Sequence, residues 1–241
     1  MDNIVYSFWV GPKLSRLHNA CIRSWLIHGY KYKIFVYDNV DNVPNDVDLL
    51  DGKDILPEIY RYSDGDVSLH SNYLRYTWLY QNGGIWVDVD SMCLCELPDT
   101  KYIFTSEAAK KYPFWKANLA VLKTPPKDSI LQFCIDRCKQ LIDNNHLKKG
   151  LYGPTLLCEA LRNQNIYDFQ HISFPHTYCP IPWWQAEDAF RPYVAPIPTQ
   201  SICIHFWNCI LKRKHIDLNE IFHPQSLYER LLSQYVNITS K

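Results

Sequence analysis

Two carboxylates close an apolar run in Gly83-Gly84-Ile85-Trp86-Val87-Asp88-Val89-Asp90. Strand side chains alternate faces, so an extended chain here points Asp88 and Asp90 the same way. Two like charges on one side of a strand end repel. They call for a compensating cation. A hard divalent ion such as Mn²⁺ or Mg²⁺ suits oxygen ligands and is commonly held by one or two carboxylates plus substrate phosphates. A charged turn after a strand is the bland alternative for a bare Asp-x-Asp.

The elements that must position this pair follow from periodicity. Ile4–Val10 reads as a buried strand ending at Gly11-Pro12. Leu14, Leu17, Cys21, Ile22 and Trp25 recur at helical spacing, with Gly29 as the stop. Tyr32–Tyr37 is a second strand, closed by Asp38-Asn39. Strand, helix and strand with a short return make a βαβ unit and imply a parallel pair. Residues 41–65 are rich in Asp, Pro and Asn and read as loop. A helix over 67–82 ends at Gly83-Gly84, and Ile85–Asp88 is the next strand. Short strands are expected at 102–106, 119–122 and 201–206, and helices at 129–141, 154–161 and 225–235. The Pro- and Trp-rich stretch 174–198 reads as irregular. Ligands of open α/β sheets bind beyond the carboxyl ends of parallel strands. Gly11, Asp38, Asp88, Asp90 and the His205-Phe206-Trp207 segment all fall at such ends.

The composition narrows the class. A hydrophobic share of 47% over 241 residues is enough for one α/β domain spanning 1–241. The formal net charge is zero, which argues against a nucleic-acid partner, and Lys212-Arg213-Lys214 is too short to be a membrane-surface cluster. No apolar run approaches the roughly 20 residues of a transmembrane segment. The start lacks a basic leader, and most of the nine cysteines sit in apolar patterns, without a zinc framework. A cytoplasmic setting is expected, in which the Asn237-Ile238-Thr239 sequon is silent.

The string from Arg75 through Gly83-Gly84 to Asp88-Val89-Asp90 resembles the DxD-containing sugar-transfer enzymes of the GT-A (Rossmann-like) fold. The likeness is to the group that includes yeast-type mannosyl- and galactosyltransferases, capsular-polysaccharide enzymes and glucosylating bacterial toxins. Phe8-Trp9-Val10-Gly11, Tyr152-Gly153-Pro154-Thr155 and Ile204-His205-Phe206-Trp207 resemble three further family segments, in the family's order. The resemblance implies an α/β fold with a mostly parallel central sheet flanked by helices. It also implies a metal-dependent glycosyltransferase, hexosyl- or deoxyhexosyl-transferring, that takes a nucleotide-diphospho-sugar to a glycan or hydroxyl acceptor. A UDP donor is expected ahead of GDP, and retention ahead of inversion.

The same resemblance distributes roles. Asp90 would ligate the metal, and Asp88 would contact ribose or sugar hydroxyls and reach the metal through water. His205 would be a second protein ligand or a phosphate contact. Arg75 offers fixed donors to sugar or phosphate, or holds an Asp in place. Trp9 would stack on the donor base or serve the core. Val10, Gly11, Tyr37, Asn72 and Trp207 complete the donor set. Asn72 stands where the toxins carry an Asp three residues before the Arg, so the donor sugar stays open. Trp183-Trp184 is an acceptor platform or a packed loop. Should the reaction invert, Glu187 or Asp188 is the candidate base. The rival functions are a metal-dependent nucleotide-sugar hydrolase and a non-catalytic sugar-binding module.

Overall fold

The structure is a computed structural model that describes residues 3–111, 114–192 and 196–236. The 237–239 sequon lies outside the described residues. The expected βαβ unit is present. β1 (Ile4–Phe8) pairs in parallel with β2 (Lys31–Val36), and helix α1 (Arg16–Ile27) connects them. Ser15 caps α1, and His18 at the third helical position returns a hydrogen bond to the cap. The helix buries Leu17, Ala20, Cys21, Ile22 and Trp25 on one stripe.

The sheet runs on to β3 (Val47–Asp51) on one side of β2, and to β4 (Gly84–Val87) on the far side of β1. Both of these pairings are parallel. The strand at 47–51 falls in the segment expected to be loop. It was hidden because it is an edge strand with two acidic residues and little burial, so it lacks an apolar signature. β7 (Trp115–Thr124) then pairs antiparallel with both β4 and β6 (Ile103–Ala108), giving the order β3-β2-β1-β4-β7-β6. The sheet is thus mostly parallel, with an antiparallel hairpin at one edge.

Alternate strand residues feed two cores. Val5, Ile34, Ile85, Val87 and Val121 face α1 and the closing helix α7 (Leu227–Val236). Phe8, Phe35, Trp86 and Leu122 face α2 (Ser68–Asn82), α3 (Ser129–Asp143) and α4 (Pro154–Asn163). A short two-stranded ladder of β5 (Ser91–Cys93) and β8 (Cys203–His205) sits beside the sheet. Trp25 of α1 is fully buried and donates its indole N–H to the Ser91 carbonyl, which ties this ladder to the first helix. The irregular stretch contains a short helix α5 (Pro175–Tyr178) and 3₁₀ turns over 183–190, followed by α6 (Asn208–Arg213). No helix among the described residues is long and apolar enough to cross a membrane.

Gly83 sets the start of β4. Its φ of 67° and ψ of −164° form a conformation essentially confined to glycine, and a β-carbon there would sit 2.8 Å from the Pro126 nitrogen. Gly83→Ala is therefore expected to lower stability by about 2 kcal/mol or more. Urea unfolding followed by tryptophan fluorescence checks this, and an unchanged midpoint would refute it.

Candidate active site

β4 stops at Val87, so the two carboxylates do not continue an extended strand. They lie on a turn in which Ser91 N–H donates to the Asp88 carbonyl at 2.8 Å. The turn folds because Val89 is drawn into the core while the Asp88 N–H is fixed to the Ala120 carbonyl of β7 at 2.7 Å. The expected shared face is reached by another route. Ser91 of β5 lies opposite His205 of β8, and that register delivers the imidazole to the acidic turn.

The result is one cluster. His205 Nε2 stands 3.4 Å from Asp90 Oδ2 and 4.0 Å from Asp88 Oδ2. Ligand-capable atoms of the three residues lie within 4.8 Å of one another. Asp90 is buried, and its Oδ2 also accepts the Asn208 N–H at 2.6 Å. Its carbonyl accepts the Phe206 N–H. Burial alone would raise the Asp90 carboxyl, but the facing His205 and the Asn208 N–H outweigh it and hold it well below the usual carboxylate range. Burial alone would lower His205. The Asp90 charge and hydrogen bond reverse that and push the imidazole well above its ordinary value. The Cys179 thiol, buried beside His205, also favours the charged imidazole.

This donor set fits a divalent cation. The two carboxylates suit Mn²⁺ or Mg²⁺, and the neutral imidazole adds a nitrogen ligand within reach of both. Asp88, Asp90 and His205 are the residues that would hold the ion.

Arg75 of α2 is buried and makes an ion pair with Asp88 Oδ1. Its other amino group donates to Asn72 Oδ1 at 2.6 Å, and its guanidinium lies 5.2 Å over the Trp86 ring. Asn72 therefore spends its acceptor on Arg75 and sits against Gly153 at the start of α4. Trp9 sits between His18, 4.4 Å away, and Lys212, whose amine is 5.4 Å over the ring. Its buried indole N–H has no hydrogen-bond partner among the described residues. At Gly11 (φ 149°) a β-carbon would come within 3.3 Å of that indole. Trp207 adopts φ 60°, donates its indole N–H to the Ile181 carbonyl and packs on His205 at 4.1 Å. This left-handed residue turns the chain so that the Asn208 N–H meets Asp90.

A cavity of about 870 Å³ joins these groups, well within the size range of ligand sites. It is lined by Trp9, Val10, Asn72, Arg75, Asp88, Asp90, His205 and Trp207, and also by Trp183. Tyr37 lies outside the lining. Its hydroxyl is consumed by the Gly52 and Leu56 carbonyls, which braces the loop after β3. Gly11, Asp38 and Trp184 are likewise not part of the lining. The candidate bases Glu187 and Asp188 are not brought to the cavity. The 3₁₀ segment turns them outward into surface ion pairs with Arg191, and Glu187 also pairs with Lys214.

Sequence reasoning missed the opposite wall. Glu107 of β6 is buried and lines the cavity. It accepts hydrogen bonds from Asn118 and Lys116 of β7, the latter at 3.0 Å. Asn118 Oδ1 in turn accepts the Ala120 N–H, which reaches the Asp88 backbone through one more bond. The polar residues Lys116 and Asn118, alternating inside the apolar strand 115–124, were the available signal.

Residues 15–115 match the family model described as the glycosyltransferase sugar-binding region containing a DXD motif. Among solved structures, one described as PaToxG glycosyltransferase superposes with a TM-score of 0.50 at 14% identity, covering 68% of this chain and 69% of that one. The glycosyltransferase GlyE of Streptococcus pneumoniae TIGR4 gives 0.46 at 14% identity, covering 98% of this chain and 64% of that one. The galactosyltransferase LgtC gives 0.42 at 7% identity, over 98% and 97% of the two chains. A sequence search of curated proteins found no match.

The site has a pH signature in metal-free protein. His205 is raised, so its stabilisation is complete below the unfolded value of about 6.5 and is lost as pH climbs through the folded value. His18 and His70 are lowered by burial to about 4. Their stabilisation is complete above about 6.5 and is lost as pH falls towards 4. Thermal melts in chelator are expected to peak near pH 6.5, with His205→Gln flattening the decline between about 6.5 and 8. Stability that still rises steadily from about pH 6.5 to 8 in the wild type would contradict the assignment.

Proposed function

We propose that this chain, with the DXD sugar-binding region and the GT-A fold of the glycosyltransferases, is a single-domain, metal-dependent enzyme that moves a sugar from a UDP-linked donor to a glycan or hydroxyl acceptor with retention. The observation that carries the reading is the convergence of Asp88, Asp90 and His205 with Arg75 in one cavity.

The residues divide the work by chemistry. Leaving-group charge grows on a diphosphate as the glycosidic bond breaks. A bound divalent ion supplies Lewis-acid neutralisation of that charge. Asp90, whose carboxylate accepts the Asn208 N–H and whose main-chain carbonyl accepts the Phe206 N–H, presents a fixed ligand oxygen. Asp88, oriented by Arg75, has a second oxygen directed towards His205 and the cavity. Arg75 is held by Asn72, so the Asn at this position serves to aim the guanidinium, whose planar donors suit sugar hydroxyls or phosphate oxygens. Trp9 offers a ring wall for the base beside Lys212.

Retention without a protein base is supported by the state of the remaining acids. Among the described residues lining the cavity, Asp64 and Asp66 are paired with Lys149, and Glu107 is held by Lys116 and Asn118. None is a free carboxylate beside the metal cluster. The acceptor hydroxyl then bonds to an oxocarbenium-like centre as the diphosphate leaves, and its proton passes to the departing diphosphate oxygen.

Incubating the protein with Mn²⁺ and a panel of UDP-sugars, with and without acceptor glycans, tests the proposal. Acceptor-dependent sugar transfer is expected, and Arg75→Ala should lower kcat/KM by about a hundredfold or more by removing a donor aimed at developing charge. Sugar release at full rate without acceptor would point to the hydrolase instead.

A further inference from the structure

The wall opposite the metal cluster carries a buried charge that strand pairing does not explain. Glu107 of β6 is 3% exposed and lines the cavity. Lys116 stands directly opposite it in the β6–β7 register and meets one carboxylate oxygen at 3.0 Å. The Asn118 amide donates to the other oxygen. Taking a carboxylate out of water costs more than a cross-strand pair with a half-exposed lysine returns. An apolar pair would hold the two strands as well, so the acid has another use.

A bulge aims these groups at the cavity. Phe104 of β6 pairs with Leu122 of β7, but the next residue, Thr105, pairs with Asn118, so residues 119–121 leave the ladder. Bulges bend a strand and re-aim its side chains, often beside active sites. The Ala120 N–H freed by the bulge goes to Asn118 Oδ1 at 2.6 Å, and the Ala120 carbonyl takes the Asp88 N–H at 2.7 Å. The polar wall therefore begins at the acidic turn and runs outward. Asn118 is buried, whereas the Lys116 side chain is 42% exposed, and both line the cavity. It leads from the metal cluster to solvent, the direction from which an acceptor must enter.

Both charged groups keep hydrogen-bonding capacity. A carboxylate has about four acceptor positions and an ammonium three donors. The contacts to Asn118 and Lys116 use two of the former and one of the latter. An acceptor beside a donor, with their charges balanced, fits two adjacent hydroxyls of an uncharged pyranose. One hydroxyl donates to Glu107 and its neighbour accepts from Lys116, and bonds to ionised groups are the stronger kind. We propose, on the transferase reading above, that Glu107 and Lys116 form the acceptor subsite and recognise a vicinal diol of a neutral glycan.

Saturation-transfer difference NMR with the methyl glycosides of glucose, galactose and mannose, in the presence of Mn²⁺ and UDP, tests the subsite. At least one glycoside should bind the wild type. Glu107→Gln should weaken that binding about tenfold or more, the worth of a hydrogen bond to a charged group, while affinity for Mn²⁺ and UDP stays unchanged. Lys116→Gln should weaken it less, because the lysine is half in water. Should Glu107→Gln unfold, as a melting temperature measured in parallel would show, Lys116→Gln decides. Glycoside binding untouched by the substitutions, or absent from a wild type that binds Mn²⁺ and UDP, would overturn the subsite and leave the transferase reading standing. A Glu107→Gln variant that instead loses only the preference for UDP-glucose or UDP-galactose over UDP would move the pair to the donor sugar and overturn the acceptor assignment. A wild type that binds neither Mn²⁺ nor UDP would overturn both readings together.

Discussion

Everything at the site depends on holding Asp88 and Asp90 together against their mutual repulsion. Two carboxylates a residue apart, one of them buried, cannot stay ionised without positive or dipolar partners. The fold supplies these from several directions. Arg75 comes from the helix before the strand, and His205 from the strand that pairs with β5. The Asn208 amide comes from the turn after β8. Removing any one leaves an uncompensated charge in a low-dielectric setting, which is why distant parts of the chain must fold before the site exists.

That requirement explains features with no meaning in isolation. Trp207 takes a left-handed conformation that a bulky residue adopts only when its surroundings impose it. Its indole bond to Ile181 and its packing on His205 are what impose it, and the return is an amide aimed at Asp90. Trp25 contributes from the opposite layer by hydrogen bonding Ser91, so that β5 and β8 keep the register that sets His205 over the turn. Strain and burial here serve the placement of one imidazole.

Much of the frame was legible from sequence, for identifiable reasons. β1, α1, β2, α2 and β4 carry strong apolar periodicity and glycine stops. The string from Arg75 to Asp90 is local, so its parts could be related by spacing alone. His205 was legible as a partner of the acidic pair, but the register that brings it there was not, because β5 is three residues long and shows no pattern. Glu107, Lys116 and Asn118 were missed because a buried polar ladder needs two strands in register before it can be seen. Tyr37 was misplaced because a strand-end tyrosine looks the same whether its hydroxyl meets a ligand or two backbone carbonyls. Asn72 acquires a definite role in the folded chain. Its oxygen goes to Arg75, which ties the departure from the toxin pattern to the aim of the guanidinium.

The most direct test of the metal cluster is a Mn²⁺ titration followed by electron paramagnetic resonance of the free ion, alone and with UDP. One bound ion per chain is expected, tightened by UDP, with binding lost in Asp90→Ala and sharply weakened in His205→Ala. Full binding retained in Asp90→Ala, or no binding by the wild type even with UDP, would contradict the assignment of Asp88, Asp90 and His205 as its ligands.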